Sequence, residues 1–322
     1  MKRRITVRSA HTNADNDEFA RIVSAANPDW PRTGAEVAAA ARRRGTRFHR
    51  KFVAEVAPGQ LAGFGFLEVP DVAATEGRFR VRVTVDPTCI GQGIGAALYE
   101  ALESEARLLQ ATELCGEVLA SHARAQRFAF DRGFVVYNRR IESRLRLRVV
   151  DPEQIARGID AVTDRLFDTG LRIASYRQLA LDGPATPRRL YELFIELWRD
   201  VPFGIGGDDP TYESFVAKEL DDPAFRPAGT FIALDGTHWV GLCAQSTGHD
   251  HLLTSMTGVV RRWRRRGLAH WLKLHSIRHA LEADAREIRT YNDESNTAML
   301  ALNRARGFVP VETDLRLKKE LR

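Results

Sequence analysis

The sequence predicts an α/β (α+β) fold assembled from two tandem copies of one domain, on three observations. The segments "VTVDPTCIGQGIGAAL" and "HARAQRFAFDRGFVV" return later as "MTGVVRRWRRRGLAHWL" and "NTAMLALNRARGFVP". Val85 and Val259, Gly93 and Gly267, and Gly133 and Gly307 are each 174 positions apart, so the repeat runs without a gap. In each copy the apolar period changes from that of a strand to that of a helix at a glycine-bearing turn.

The elements follow in order. Arg4–Arg8 reads as a strand, and residues 14–44 as two helices around "NPDWPRTG". "RFHRKFVAEV" and "QLAGFGFLEV" are strands joined at Pro58-Gly59, a hairpin signal. In "RFRVRVTV" the apolar Phe79, Val81, Val83 and Val85 alternate strictly, as a half-buried strand requires. From Ile94 the period is helical, with Ala97, Leu98, Ala101 and Leu102 on one stripe. A strand near Glu113–Leu119, a helix ending at Gly133 and strands through Leu147 complete the first copy. In the second, Thr186-Pro187 reads as a cap with proline at the first helical position, and Tyr191, Phe194, Ile195 and Trp198 as a buried stripe. "GTFIALDGTHWVGLCAQS" reads as a hairpin about Asp235-Gly236, followed by a strand around 251–259. The expected domains are therefore 1–147 and 171–322, with 148–170 a helical connector, since that stretch is neither low-complexity nor Gly/Ser-rich.

Composition excludes several classes. With 322 residues, 44% hydrophobic and 28% charged, the chain describes a soluble globular protein long enough for two cores. No apolar run approaches the roughly 20 residues of a membrane span, and "MKRRITVRSAHTNADNDEF" has no apolar h-region of a secretory signal. Cys89, Cys115 and Cys243 are too scattered for a disulfide framework or a zinc site, so no metal and a cytoplasmic location are expected. The net charge of +6 comes almost wholly from arginine, since Lys occurs only at positions 2, 51, 218, 273, 318 and 319. Arginine holds phosphate with a planar fork. A GC-rich genome also encodes it often, which accounts for most of the excess.

Both copies set a glycine turn between a strand and a helix: Gly91, Gly93 and Gly95 in the first, Gly267 in the second. Such a turn presents unpaired backbone N–H groups at a helix N-terminus to a phosphate. Gly91-Gln92-Gly93-Ile94-Gly95-Ala96 also fits G-x-G-x-x-A, but strands and a hairpin precede it where a dinucleotide fold would begin. "RRWRRRGLAHWLK" raises a further alternative, a basic patch for nucleic acid built on Arg261–Arg266.

The ordered combination of a strand, "V-x-x-x-x-[RQ]-x-x-G-x-[GA]", a helix, a strand and "N-x-x-A-x-x-x-x-x-x-x-G-F" resembles the GNAT superfamily of acyl-CoA N-acyltransferases. The second copy matches with Val259, Arg264, Arg265, Arg266, Gly267, Leu268, Ala269, Asn296, Gly307 and Phe308. The first matches with Val85, Gly91, Gly93, Gly95, Ala125, Gly133 and Phe134. A tandem of this kind is similar to mycothiol synthase-like bacterial enzymes. The resemblance implies two GNAT domains, each a mixed, mostly antiparallel sheet flanked by helices. It implies acetyl-CoA or another short acyl-CoA as cosubstrate, with pyrophosphate on the N–H groups of Arg265 to Ala269 and charge neutralised by Arg264. Pantetheine would pair near Val259 and Arg261, and the N–H of Val259 or Val260 would hold the oxyanion.

The same resemblance implies a small-molecule amine attacking the thioester, with a base on the strand before the turn. The usual positions hold Phe79 and Val81 in the first copy and Leu253 and Ser255 in the second, which leaves His251 as the candidate base. The tyrosine that often serves as acid is replaced by Ala129 and Asn303, which leaves Tyr291. Asn292 and Asn296 read as caps that order the turn after the strand. The second copy is the expected catalytic one and the first a degenerate or non-catalytic one, because Ile90 stands where the second copy has Arg264. Glu192, Glu196, Asp200, Asp208 and Asp209 would favour a cationic acceptor, and Pro202-Phe203 through Gly207 would form a lid. A monomer or homodimer is expected, with neither membrane nor nucleic acid as partner. A non-catalytic acyl-CoA sensor stays open beside the enzyme.

Overall fold

The structure, a computed structural model, describes residues 5–10, 15–29, 31–43, 48–70, 75–202 and 209–321. Arg4, Trp30, the expected lid at 203–207 and Asp208 lie outside the described residues. The chain forms two compact units. One holds the residues up to Asn138 together with Leu315–Arg322, and the other lies within Arg139–Asp314. The linear repeat and the compact units thus differ at their last strands, because each unit takes that strand from the other half of the chain.

The first unit contains β1 (Thr6–Ser9), α1 (Asp15–Ala26), α2 (Gly34–Arg43), β2 (His49–Ala57), β3 (Gln60–Glu68), β4 (Arg78–Val85), α3 (Ile94–Leu108), β5 (Glu113–Leu119) and α4 (Ala123–Phe130). β1 to β4 pair antiparallel in order, and β4 pairs parallel with β5 over Arg78↔Glu113 to Arg80↔Cys115. Pro58-Gly59 makes the β2–β3 turn, with Gly59 at φ +76°, a left-handed angle that suits glycine. α3 buries Ile94, Leu98, Leu102 and Ala106, an i, i+4 ridge one position round from the expected stripe. That ridge meets two apolar clusters, one with Leu114, Phe134, Leu315 and Leu317 and the other with Ala54 and Ala62. A third cluster, Phe19, Ile22, Val53, Leu61 and Phe64, holds α1 to the sheet.

β6 (Val135–Arg146) continues into the second unit, which adds α5 (Pro152–Leu166), β7 (Leu171–Ser175), α6 (Tyr176–Leu179), α7 (Thr186–Trp198), α8 (Tyr212–Phe215), β8 (Phe231–Asp235), β9 (His238–Thr247), β10 (Leu252–Val259), α9 (Leu268–Glu282), β11 (Glu287–Asp293) and α10 (Thr297–Ala305). β12 (Val309–Glu320) closes the chain. β7 to β10 pair antiparallel in order, β10 is parallel to β11, and β11 is antiparallel to β6. Each unit is therefore a mixed, mostly antiparallel sheet with helices against it.

The connector is a working part of the second core. Asp151 caps α5 by accepting from Glu153 N–H at 2.9 Å, Pro152 opens the helix, and Ile155, Ile159, Val162 and Leu166 are buried. These side chains share a cluster with Trp271, Leu274 and Ile277 of α9. On the opposite sheet face α7 buries Leu190, Leu193, Phe194, Ile195 and Leu197. Tyr191 and Trp198 flank that stripe half-buried. Thr186 is not the cap of α7: it is the first helical residue, its hydroxyl donating to Leu179 O at 3.0 Å, and Pro187 comes second. The hydroxyl reaches a carbonyl seven residues back, at the end of α6, and so does not cap α7.

Candidate active site

The site of the second unit starts with an extra residue in a strand. The β9–β10 register shifts between Thr254 and Met256, so Ser255 is a bulge. Leu252 and Val259 are an odd number of residues apart yet both lie in the α9-side cluster, while Met256 and Val260 face α7. Strict alternation would forbid this, and the bulge permits it. β10 pairs with β11 only over Leu252↔Ile288 to Thr254↔Thr290, so the two strands part where the bulge sits. Beyond it, Val260 donates its N–H to Val240 O at 2.9 Å. By alternation the N–H of Val259 faces the edge that β11 has left. Of the two expected oxyanion donors, Val260 is already engaged.

The opening leads to the glycine turn. Gly267 caps α9 at φ +86°, and Arg265 is also left-handed at φ +65°. The first bond within the helix is Trp271 N–H to Gly267 O at 3.0 Å, which leaves the earlier N–H groups, those of Leu268 and Ala269 included, directed outward. Glycine suits Gly267 because a side chain at that angle is strained. Arg264 donates from Nε to Val259 O at 2.9 Å and forms an ion pair with Asp200. Arg261 donates to the same carboxylate, from Nε at 3.0 Å. These contacts hold the Asp200 carboxyl below its ordinary range, the Arg261 hydrogen bond contributing most and Arg264 adding to it against desolvation. The Arg266 guanidinium lies 4.5 Å from the Trp263 ring centroid, a cation–π contact. Three arginines of the run are thus committed to neighbours.

The first unit repeats the turn without the bulge. Gly91 and Gly93 are left-handed at φ +86° and +88°, Gly93 caps α3, and Gly95 lies inside the helix near Val85 and Phe128. The β3–β4 register runs unbroken from Gly63↔Val85 to Glu68↔Arg80, as the strict alternation of β4 implies. Its link between first helix and turn has the opposite polarity: Arg21 of α1 donates to Asp86 at 2.7 Å.

The two catalytic candidates fall in different places. His251 precedes the three paired positions of β10, on the closed side of the opening. It is 3% exposed, with Nδ1 3.2 Å from Asp250, and a Cβ on Gly248 would lie 2.2 Å from Nε2. Burial first, with Arg289 next among the lowering causes, keeps its pKa below the usual histidine value. Tyr291 stands one position past the last β10–β11 pair, opposite Glu142 of β6. Tyr291 pairs with Glu142 across the strands, the Arg140 guanidinium lies 4.7 Å from its ring centroid, and burial followed by the Glu142 charge pushes the phenol well above its usual pKa. Glu142 itself is 5% exposed and accepts from Arg144 at 2.5 Å. Sequence reasoning missed Glu142 because β6 belongs to the first half of the chain. The lone acid among the arginines of "YNRRIESRLR" was its only signal.

Asn296 caps α10, accepting from Met299 N–H at 3.2 Å, and Asn292 accepts from Asn303 Nδ2 at 2.7 Å, both as ordering residues. The acidic acceptor surface is largely spent: Asp200 is paired as above, Asp209 with Arg199 at 2.6 Å and Glu192 with Arg188 at 3.5 Å. No group of metal-binding side chains occurs among the described residues. No helix among them is long and apolar enough to cross a membrane.

A sheet parted beside a glycine-capped helix, present twice, defines the class. Residues 47–136 match the acetyltransferase (GNAT) domain family, and the chain is an N-acetyltransferase of the GNAT fold. Along its length it is similar to the mycothiol acetyltransferase of Thermobispora bispora, 25% identical over 98% of this chain and 100% of that one. Two solved structures share the fold. The tandem GNAT protein from the clavulanic acid biosynthesis pathway covers 98% of both chains at 19% identity with a TM-score of 0.72. The GCN5-related N-acetyltransferase from Sphaerobacter thermophilus covers 99% of this chain and 96% of its own at 19% identity and 0.68.

Proposed function

We propose that the protein transfers an acetyl group from acetyl-CoA, or another short acyl group from its CoA thioester, to the primary amine of a small molecule. The observation that carries this is the parting of β10 from β11 past Thr254, beside the Ser255 bulge and above the Gly267 turn. The pantetheine arm would lie in the opening and the pyrophosphate on the turn's outward N–H groups. The amine nitrogen attacks the thioester carbon, the Val259 N–H supports the oxyanion, and the C–S bond breaks to release CoA. Tyr291 and Glu142, at the mouth of the opening, would handle the protons.

The second half is the catalytic one in this reading and the first a brace or idle binder. The family match at 47–136 supports an intact fold and turn in the first half, whose β4 lacks the bulge. A nucleic-acid role is disfavoured because Arg261, Arg264 and Arg266 already engage Asp200 and Trp263. A cytoplasmic protein, monomeric or dimeric, fits this chemistry. The test is release of free CoA from acetyl-CoA against a panel of small primary amines that includes the acceptor of mycothiol acetyltransferase. Tight acetyl-CoA binding with no amine accepted would favour a sensor. Salt-sensitive duplex binding without any response to acetyl-CoA would favour nucleic acid.

A further inference from the structure

The α5 helix places a guanidinium on the glycine turn of the second half. A Cβ built on Gly267 would lie 2.2 Å from Arg165 Nη2, so this side chain fills the hollow that the glycine leaves. Its one hydrogen bond among the described residues is a long one, 3.4 Å to Arg266 O, and it is otherwise directed to solvent. α5 is fixed by Ile155, Ile159, Val162 and Leu166 in the core, so the guanidinium is carried on a rigid element. At Gly93, the matching position of the first half, the nearest side chain is Ile5, with its Cδ1 3.6 Å from the same built atom.

Two independent features mark this hollow as short of negative charge. His270, in the first turn of α9, is held below the usual histidine range by burial first, then by Arg306 and Arg165. Arg306 Nε is buried with no hydrogen-bond partner among the described residues. Arg165 therefore sits at a helix N-terminus, where the helix dipole already favours an anion.

We propose that Arg165 is a phosphate-contacting residue of the second turn, supplied by the connecting helix, and that it makes the second half the tighter CoA site. The proposal rests on the acyl-CoA reading above. Arginine suits the task because its planar fork can bridge two phosphate oxygens, and it keeps its charge at every working pH.

Calorimetric titration of CoA into wild type, Arg165→Ala and Arg165→Lys tests it, with thermal melts confirming that each variant is folded. Arg165→Ala should weaken CoA by about tenfold to a hundredfold, the scale of one charge-assisted hydrogen bond, and Arg165→Lys should recover part of that. KM for acetyl-CoA should rise with kcat unchanged. Acetyl-pantetheine, which lacks the nucleotide, should be used equally well by wild type and Arg165→Ala. Unchanged CoA affinity in Arg165→Ala overturns the proposal, and so does tighter binding, which would make Arg165 a plug. An equal loss with acetyl-pantetheine also overturns it, by pointing to packing. Wild type that binds no CoA overturns the acyl-CoA reading itself, a result distinct from binding that ignores Arg165.

Discussion

The Asp200 carboxylate holds the Arg264 guanidinium, and Arg264 in turn donates to Val259 O at 2.9 Å. The end of α7, the glycine turn and the tip of β10 are thereby fastened together. In the first unit a different pair, Arg21 and Asp86, ties α1 to the glycine turn, at positions the repeat does not match to Asp200 and Arg264.

Asp200→Asn should therefore loosen the second turn. The pair is partly exposed, with Asp200 at 18% and Arg264 at 43%, so a loss of about 1 kcal/mol is expected. Arg261 and Arg264 lower the folded-state pKa of Asp200. Its contribution is complete above the unfolded value, near 3.9, and is lost as pH falls through the lower folded value. Urea midpoints of wild type and variant should differ at pH 7 and converge under strong acid. A constant difference at every pH would show that the carboxylate's charge is irrelevant.

Lys273 stands where Tyr99 stands in the first half, and only one of them is satisfied. Tyr99 accepts from Lys319 at 3.0 Å, whereas Lys273 Nζ, in a residue 1% exposed, has no hydrogen-bond partner among the described residues. Burial lowers its pKa, so the folded state binds this proton less well than the unfolded chain does. The penalty grows as pH falls below about 10.4. Lys273→Met, of similar length, should raise stability at pH 7 by about 1–3 kcal/mol, with the gain fading as pH approaches about 10.4. No gain at neutral pH would mean that the amine has found a partner.

The repeat, the paired hairpins and the glycine turns were legible because each is written in local spacing. What was not legible depends on distant pairing. Glu142 reaches Tyr291 because β6 leaves its own half, and Arg165 reaches Gly267 because α5 docks on α9. The acidic residues of 192–209 suggested a cationic acceptor, yet Glu192, Asp200 and Asp209 meet arginines that composition could not place. The Ser255 bulge left a faint trace: β4 alternates strictly and its repeat "LLTSMTGV" does not.

The two halves should respond differently to the same lesion. Gly267 and Gly93 share a left-handed φ, which a β-branched residue adopts only under strain. Gly267→Val should abolish turnover and most of the thermal stabilisation by acetyl-CoA, while Gly93→Val should leave turnover within about twofold of wild type. Each variant's fold is checked by circular dichroism. Loss of turnover in a folded Gly93→Val would assign a catalytic part to the first half, and full turnover in Gly267→Val would reverse the assignment.

The last prediction concerns the protons. An ammonium cannot attack a thioester, so a group near the opening must take its proton or the amine must arrive neutral. Tyr291 lies across the strands from Glu142 at the mouth of the opening, and its phenol stays protonated because burial and the Glu142 charge both raise its pKa. It can donate to the departing sulfur but cannot serve as the base, a role that falls to the Glu142 carboxylate. Glu142→Gln should lower kcat/KM by about 10²-fold, the scale of a positioned base. Tyr291→Phe should reduce kcat through the leaving group, with a smaller loss for a substrate whose thiolate leaves more readily. His251, 3% exposed beneath Gly248, gives the competing account, in which kcat/KM rises through an ionisation in the histidine range. If His251→Ala removes that inflection while Glu142→Gln keeps full activity, histidine is the base, reached through water. If His251→Ala keeps the shape of the profile and Glu142→Gln loses the rate, the proton leaves by the carboxylate that the first half of the chain lends to the second.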